Sequence, residues 1–256
     1  MMKVAILYIC TGRYAQFFDT FYESAERYLL EGKEKHYFVW TDNDQLTTAP
    51  NVTLIHRKCQ GFPMDSLMRF DMFLSMADQL RAYDYTFFMN ANMLLVAPVD
   101  DAILPESLAA VVHPGYYNKP AWRFPYEHNK KSKAYIPPRQ GDYKYYMGSL
   151  NGGRTNDYLA LAETCSRQIH DDLDRGIIAK YHDESHLNRY LRDHACKPLS
   201  PAYAYIEGKQ MPFEAKIVIR DKERLDPYYQ KGRDKSAIGY LKKGIGILYD
   251  AITWYL

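Results

Sequence analysis

The sequence predicts an α/β protein with a mostly parallel central sheet and helices on both of its faces. Short apolar runs alternate with segments of helical periodicity through residues 1–92, which is the pattern of parallel strands joined by crossover helices. Polar or glycine-containing segments end the apolar runs, as at residues 10–12 and 90–92. Ligands bind beyond the carboxyl ends of parallel strands, so these segments are the first candidates for a site.

The first 92 residues carry most of the regular pattern. Continuous apolar runs predict four strands, at residues 4–9, 37–40, 52–55 and 85–89. Apolar side chains at three- and four-residue spacing predict two helices between them, at residues 17–30 and 66–80.

The second half of the chain is richer in Tyr, Pro and Gly and has fewer regular runs. Helices are predicted there at residues 156–169 and 183–191, with loops such as residues 137–142 between the elements. Loops on a rigid sheet commonly carry binding residues, so we expect this half to form a cleft against the first half.

Composition is that of a soluble globular protein. The 256 residues are 47% hydrophobic and 25% charged, enough to bury the core of one large domain. A net charge of +2 gives no reason to expect a nucleic-acid partner. The four cysteines show no paired spacing and are expected to be reduced thiols: Cys10, Cys59, Cys165 and Cys196.

Neither a signal peptide nor a transmembrane span is expected. The apolar run at residues 4–9 is too short for a signal peptide and no small-residue cleavage site follows it. No apolar stretch reaches the ~18 residues that a span requires. The expected location is the cytoplasm, and a position at the inner face of the cytoplasmic membrane stays open.

A different pattern occupies residues 235–256, which we treat as a C-terminal tail. Apolar residues recur there at three- and four-residue steps: Ile238, Leu241, Ile245, Leu248, Ile252 and Tyr255. Lys242 and Lys243 flank this stripe and Trp254 stands near its end. Two interpretations stay open, an amphipathic helix on a membrane surface and a helix packed on the protein body.

Four segments of the chain carry a more specific signal when they are taken together. They are residues 90–92, 113–117, 145–153 and 181–188, supported by residues 126–127, 134–137 and 199–203. In this combination the chain resembles glycosyltransferase family 6, which includes the histo-blood-group A and B transferases and shorter bacterial proteins. The resemblance covers residues 3–222. It implies a Rossmann-like fold of the GT-A type.

The resemblance also implies the reaction. We expect a retaining transferase that moves galactose or N-acetylgalactosamine from UDP to the 3-hydroxyl of a fucosylated, H-antigen-like β-galactoside of a bacterial surface glycan. Residues 1–234 would form the catalytic domain, with a nucleotide-binding half at 1–92 and a specificity half at 93–234. The alternative class is a UDP-sugar- or glycan-binding protein that has lost catalysis, against which the intact residues 182–185 argue.

Asn90-Ala91-Asn92 stands where many family members have Asp-x-Asp. Two such carboxylates hold a divalent metal that bridges the donor diphosphate. An amide is a poor ligand for a hard dication but can hydrogen-bond a hydroxyl group. We therefore expect no metal and no cofactor, as in the bacterial family members with the same tripeptide.

Glu184 is the candidate catalytic residue. It stands in His182-Asp183-Glu184-Ser185 at the start of a predicted helix, where carboxylates also serve as simple N-terminal caps. The resemblance makes it the nucleophile or the stabiliser of positive charge in a retaining reaction. Asp183 would bind the donor sugar, and His182 would contact the donor or orient Glu184.

The other site residues follow from the resemblance. The remaining donor-binding candidates are Ile9, Cys10, Thr11, Tyr14, Arg69, Asn90, Ala91, Asn92, Met147, Gly148, Ser149, Arg220 and Lys222. The acceptor-binding candidates, besides Glu184, are His113, Gly115, Tyr116, Trp122 and Tyr181. Tyr14 is expected to stack on uracil, Arg220 and Lys222 to hold the departing diphosphate, and Met147 and Ser149 to tilt the choice towards galactose.

Overall fold

A computed structural model describes residues 1–139, 141–229 and 237–255, with the side chains of 237–243 left out of the description. The strands are β1 (Lys3–Ile9), β2 (Glu34–Thr41), β3 (Val52–His56), β4 (Tyr85–Met89), β5 (Met93–Leu95), β6 (Leu108–Val112), β7 (Tyr146–Arg154), β8 (Cys196–Leu199), β9 (Tyr205–Ile206) and β10 (Ile217–Ile219). The helices are α1 (Phe18–Tyr28), α2 (Met64–Leu67), α3 (Arg69–Leu74), α4 (Ala77–Leu80), α5 (Thr155–Leu173), α6 (His182–Asp193), α7 (Lys222–Leu225) and α8 (Ala237–Tyr255).

The central sheet has seven strands in the order β3-β2-β1-β4-β7-β6-β8. β7 is antiparallel to both of its neighbours, while every other pair in this sheet is parallel. The expected mostly parallel sheet is confirmed. Strands from both predicted halves share this sheet. β1 to β4 come from residues 1–92, and β6 to β8 come from residues 93–234. A second, three-stranded sheet in the order β5-β10-β9 lies beyond the end of β4.

Helices cover both faces of the sheet, as predicted. On one face α1 buries Phe18, Phe21 and Ala25 against residues of β1 and β4. On the other face α3, α5 and α6 build a second core around Phe73 and Tyr158. Full burial of an aromatic or large aliphatic side chain contributes about 1.5–3 kcal/mol. The two cores hold the sheet rigid, with its carboxyl end free to carry a site.

The prediction of one continuous helix at residues 66–80 is wrong. Residues 66–80 form parts of three short helices, α2, α3 and α4, because Met68 and Met76 leave the helical region with ψ angles of 12° and 15°. Periodicity could not reveal the breaks, since the apolar positions of all three helices still face the same core. The helix predicted at 17–30 begins one residue later, after a 3₁₀ segment at Gly12–Phe17.

The tail helix α8 packs on the body through Trp254 and Ala251, whose side chains are buried. The indole N–H of Trp254 donates a 2.6 Å hydrogen bond to the carbonyl of Ile136, and the ring stacks on His128. Of the two interpretations left open for the tail, packing on the protein body therefore holds for this side of α8. The stripe residues on the far side are exposed: Ile245, Leu248, Ile252 and Tyr255.

Several tail predictions fall outside the described residues. The side chains of Ile238, Leu241, Lys242 and Lys243 are among them, as is the predicted boundary at 234 and 235. Within residues 1–139, 141–229 and 237–255, no helix has the length and apolar character needed to cross a membrane.

Candidate active site

Asn90 and Asn92 lie at the carboxyl end of β4, where two other parts of the chain meet them. The Asn90 side-chain N–H donates to the Asn92 side-chain oxygen at 2.9 Å, and the Asn92 N–H₂ donates to the Arg220 carbonyl at 2.8 Å. The backbone N–H of Asn90 donates to Ser149 of β7. The tripeptide therefore joins β7 to the segment that follows β10. Ala91 is buried between them, its carbonyl bonded to the Tyr8 hydroxyl.

Glu184 lies in the first turn of α6, and both of its carboxylate oxygens are hydrogen-bonded. One accepts from the Tyr145 hydroxyl at 2.5 Å, and the other accepts from the backbone N–H of Gly148 at 2.7 Å. These bonds fix the carboxylate against the start of β7. A carboxylate held by neutral donors is suited to face positive charge that develops on a sugar.

The pKa of Glu184 is raised above its ordinary value because burial disfavours the charged form. The hydrogen bonds from Tyr145 and Gly148, and the charge of Arg69, act in the opposite direction. The pKa of Glu184 thus depends on opposing effects, and the loss of any one of these neighbours would change it.

Asp183 and Arg69 form a buried ion pair beside Glu184. Arg69 also donates to the carbonyl of Gly148 at 2.7 Å and lies over the Phe88 ring. Burial lowers the pKa of Arg69 to about 10, so it remains charged at neutral pH. A Cβ on Gly148 would lie 2.9 Å from the Arg69 guanidinium and 3.4 Å from Glu184. Only glycine fits between these two groups.

The start of α6 explains how Glu184 is presented. His182 begins the helix with a φ of 52°, in the left-handed region that non-glycine residues seldom adopt. The Ser185 hydroxyl accepts from the backbone N–H of Tyr181. Strain of this kind persists where the surroundings hold it, and it often marks functional segments.

The end of β1 carries several of the residues predicted to bind the nucleotide. Thr11 is buried and its hydroxyl donates to Asp65, while the exposed Gly12 N–H donates to Asp42. Cys10 is also buried, and its backbone N–H and carbonyl bond to Trp40 and Thr41. Burial raises the pKa of the Cys10 thiol to about 12, so the thiol is neutral. Ile9 at the end of β1 is half-buried.

Tyr14 and Lys222 are brought together from opposite ends of the chain. The Lys222 ammonium donates to the Tyr14 hydroxyl at 2.6 Å and lies 4.9 Å from the centre of its ring. Arg220 donates to the Thr20 hydroxyl at 2.9 Å. Both cations thus contact the segment that follows β1, and their partners there are protein groups. Stacking of Tyr14 on uracil stays a prediction.

Met147 and Ser149, the residues predicted to influence the choice of donor, flank Gly148 on β7. Met147 is half-buried, and Ser149 is 5% exposed. The Ser149 hydroxyl has no hydrogen-bond partner among the described residues. A buried hydroxyl without a partner is costly, so a sugar hydroxyl at this point would gain by meeting it.

The acceptor candidates His113, Gly115 and Tyr116 form one turn that packs on Tyr145. His113 Nδ1 accepts from the N–H of Gly115, and its ring lies 4.8 Å from Tyr116 and 5.7 Å from Tyr145. Burial lowers the pKa of His113 to about 4, so it is neutral near pH 7. This turn is therefore joined to Glu184 through Tyr145.

Trp122 and Tyr181 are exposed aromatic residues, at 41% and 42%. They are suited to contact the apolar face of a sugar, which is the role predicted for them. The His182 ring packs edge-on against Phe62 at 4.8 Å, so its position relative to a donor is set partly by the loop before α2.

Three residues that matter to this geometry were not singled out from the sequence. Asn188 bonds the N–H and carbonyl of Tyr146 and the carbonyl of Glu184, and so ties α6 to β7. The Asp65 carboxylate accepts hydrogen bonds from the Thr11 hydroxyl and from the backbone N–H groups of residues 60 and 61. Tyr145 and Asn188 stood inside recognised segments, so their position was available, but nothing signalled Asp65.

Within the part of the chain that the structure describes, no three His, Cys, Asp or Glu side chains come close enough together to hold a metal ion.

The chain is a glycosyltransferase. It belongs to Glycosyltransferase family 6, whose sequence profile matches residues 2–224. It is 38% identical over 226 residues to the O-antigen biosynthesis glycosyltransferase WbnI of Escherichia coli, covering 87% of this chain and 96% of that protein.

Two animal relatives are more distant. Globoside alpha-1,3-N-acetylgalactosaminyltransferase 1 of Gallus gallus is 31% identical over 243 residues, covering 91% of this chain and 70% of that protein. Histo-blood group ABO system transferase 2 of Rattus norvegicus is 32% identical over 212 residues, covering 79% and 63%. The family expected from the motifs is confirmed.

Proposed function

We propose that this glycosyltransferase moves galactose or N-acetylgalactosamine from UDP to the 3-hydroxyl of a β-galactoside, with retention and without a divalent metal. The acceptor would be a fucosylated, H-antigen-like end of a bacterial surface glycan. The observation that carries the proposal is the placement of Glu184, doubly hydrogen-bonded at the carboxyl edge of the sheet beside the Arg69–Asp183 pair.

Retention of the anomeric configuration is supported by the arrangement of Glu184, Asp183 and Arg69. One carboxylate, Glu184, faces the site, while the neighbouring Asp183 is neutralised by Arg69 and suited to bind sugar hydroxyls. A lone carboxylate can stabilise an oxocarbenium-like ion on one face or form a covalent bond to it. Both routes retain configuration.

Metal independence is supported by the chemistry of the Asn pair. Asn90 and Asn92 point donor groups at neighbouring oxygens, and the Asn92 oxygen is already used as an acceptor. Amide groups so arranged are poorly suited to a hard dication, which takes carboxylate oxygens. Arg220 and Lys222 supply positive charge on the same side and would assist the departing diphosphate.

The donor and acceptor are tested by one panel. UDP-galactose and UDP-N-acetylgalactosamine are each offered with 2'-fucosyllactose, lactose or no acceptor, and UDP release and product linkage are measured. We expect transfer to the fucosylated acceptor with an α1,3 linkage and unchanged anomeric configuration. UDP release that no β-galactoside stimulates would contradict transfer to this class of acceptor.

The alternative, a UDP-sugar- or glycan-binding protein without catalysis, requires a site that has lost its reacting groups. The intact Glu184 constellation disfavours it. Binding of UDP-sugar without any turnover across the panel would favour it instead.

Peripheral contact of the C-terminal tail with a membrane, at the inner face of the cytoplasmic membrane, is a further part of the proposal. It is supported by the exposed apolar side chains of α8, among them Leu248 and Ile252 at 58% and 52%.

A further inference from the structure

A cavity of about 550 Å³ lies outside the active site, lined by residues 129–133, Arg175 and Ile177. Residues 129–133, here called the basic loop, contain Lys130, Lys131 and Lys133. Nothing in the proposed reaction uses this cavity.

The basic loop is held in shape by the buried carboxylate of Asp172. That carboxylate accepts from the Ser132 hydroxyl at 2.5 Å, from the Lys133 N–H at 2.8 Å and from Arg175 at 2.5 Å. Arg175 also donates to the Lys131 carbonyl at 2.7 Å. The loop is therefore built before any ligand arrives, and binding has little ordering entropy to overcome.

Two cations on this loop are left for a ligand. The Arg175 guanidinium is already engaged, and Lys133 lies 3.8 Å from Asp171. Lys130 and Lys131 are exposed, and no carboxylate lies within ion-pair distance of either ammonium in the described part of the chain. Adjacent cations on a fixed loop attract an anionic group.

Helix α8 packs beside the start of this loop. Trp254 stacks on His128, the residue before Asn129, and Lys180 forms an ion pair with Asp250 on α8. The opposite side of α8 presents exposed apolar side chains: Ile245, Leu248, Tyr249, Ile252 and Tyr255. Ile178, on the segment between Arg175 and Tyr181, is 51% exposed as well.

We infer that the basic loop and the exposed face of α8 form one docking surface for a bilayer containing anionic phospholipid. Lys130 and Lys131 would bind lipid phosphates while the apolar side chains of α8 enter the acyl boundary. The inference rests on the proposed membrane contact and names its residues and lipid chemistry. A free anion would use the lysines and leave the face of α8 in water, whereas an anionic bilayer satisfies both.

The test measures sedimentation of the full chain with vesicles of phosphatidylcholine, alone or mixed with phosphatidylglycerol. K130Q/K131Q should weaken binding to the anionic vesicles by about fivefold for each lysine, hence about 25-fold. The matched control, K3Q/K197Q, removes the same charge from exposed lysines elsewhere and should bind as the unchanged chain does. L248S/I252S should weaken binding to both kinds of vesicle.

Several results would overturn the inference. An equal loss of vesicle binding in K3Q/K197Q would show that only the net charge matters. Unchanged binding of K130Q/K131Q would show that the basic loop takes no part in vesicle binding. Calorimetry with inorganic diphosphate is the further measurement. If diphosphate binds tightly, if K130Q/K131Q abolishes that binding and if the same variant still binds vesicles normally, the cavity is a site for a soluble anion and the inference is wrong. Turnover of a soluble acceptor is measured separately, so failure of the transferase proposal leaves the vesicle results interpretable.

Discussion

The hydroxyl of Tyr145, one residue before β7, donates a 2.5 Å hydrogen bond to the carboxylate of Glu184 in the first turn of α6. Tyr145 is almost fully buried, and its ring also contacts His113 and Tyr116 of the acceptor turn. A single side chain thus touches both the candidate catalytic group and the candidate acceptor site. This contact sets the first prediction.

Tyr145→Phe should move the acid limb of the kcat profile to higher pH. Burial already raises the pKa of Glu184 and the Tyr145 hydrogen bond lowers it, so removing the hydroxyl raises the pKa further. If the ionised carboxylate is the active form, activity is lost first at low pH and recovers as pH rises. Tyr126→Phe, which removes a buried hydroxyl bonded to the Lys144 carbonyl, is the control and should leave the profile in place.

Glu184→Gln should lower kcat by about 10³-fold or more while UDP affinity changes little. A carboxylate aimed at developing positive charge acts mainly in the transition state. Kinetics and UDP titration measure the two effects, with Glu163→Gln at an exposed position of α5 as the control. Near-normal kcat would return Glu184 to a capping role.

The same variant should change how stability depends on pH. A raised pKa means that the folded state binds the proton more tightly than the unfolded state, so folding stability falls as pH rises from the ordinary value of 4.5 through the raised one. Glu184→Gln removes this loss. Urea unfolding across that window should show the two proteins diverging as pH rises, and parallel curves would contradict the assignment.

Gly148→Ala should reduce both activity and stability. Its Cβ would lie 2.9 Å from the Arg69 guanidinium, so the Arg69–Asp183 pair must shift or the strand must move. Overpacking of this kind costs about 1–3 kcal/mol. Gly246→Ala, on α8 with open space around it, is the matched control and should leave kcat unchanged.

Turnover should survive excess EDTA and should not rise when Mn²⁺ is restored. The reason is that Asn90 and Asn92 present amide donors where carboxylates would hold the ion. N90D/N92D places acceptors against the Arg220 carbonyl and against each other, so it should lose activity in EDTA and regain part of it with Mn²⁺. Loss of wild-type turnover in EDTA would contradict the metal-free proposal.

Trp254→Ala should lower the free energy of unfolding by about 3–5 kcal/mol, since a large buried ring and its hydrogen bond are removed. Trp122→Ala, at an exposed tryptophan, should cost much less stability. Urea unfolding of both variants measures the difference. Equal, small losses would show that α8 does not pack on the body through Trp254.

Four strands of the sheet could be predicted because they are short runs of mainly apolar residues. Residues 4–9, 37–40, 52–55 and 85–89 all lie within observed strands. The antiparallel placement of β7 between β4 and β6 could not be predicted, because strand order depends on contacts between distant residues. The link between Asn92 and Arg220 is of the same kind, since it joins positions 128 residues apart.

Residues of the candidate site could be predicted where they belong to a recognised motif. They could not be predicted where only their contacts in the folded chain bring them to the site. Glu184, Asp183 and Arg69 were singled out by resemblance, and they come together in the structure. Tyr145 was not, because a tyrosine in an aromatic-rich segment has no distinguishing pattern until its hydroxyl is seen to meet Glu184. The packing of Trp254 on the body could not be predicted, because helical spacing shows which residues share a face and not which face meets the body.

Asn188 has a mechanical consequence. By bonding both backbone groups of Tyr146 and the Glu184 carbonyl, it ties the first turn of α6 to the start of β7, so these two elements are held in a fixed relative position. The segment after β10 is attached less firmly, since Arg220 and Lys222 reach Thr20 and Tyr14 only through long side chains. We therefore expect any opening of the site to occur at this segment and not between α6 and β7, and neither core would need to rearrange for it.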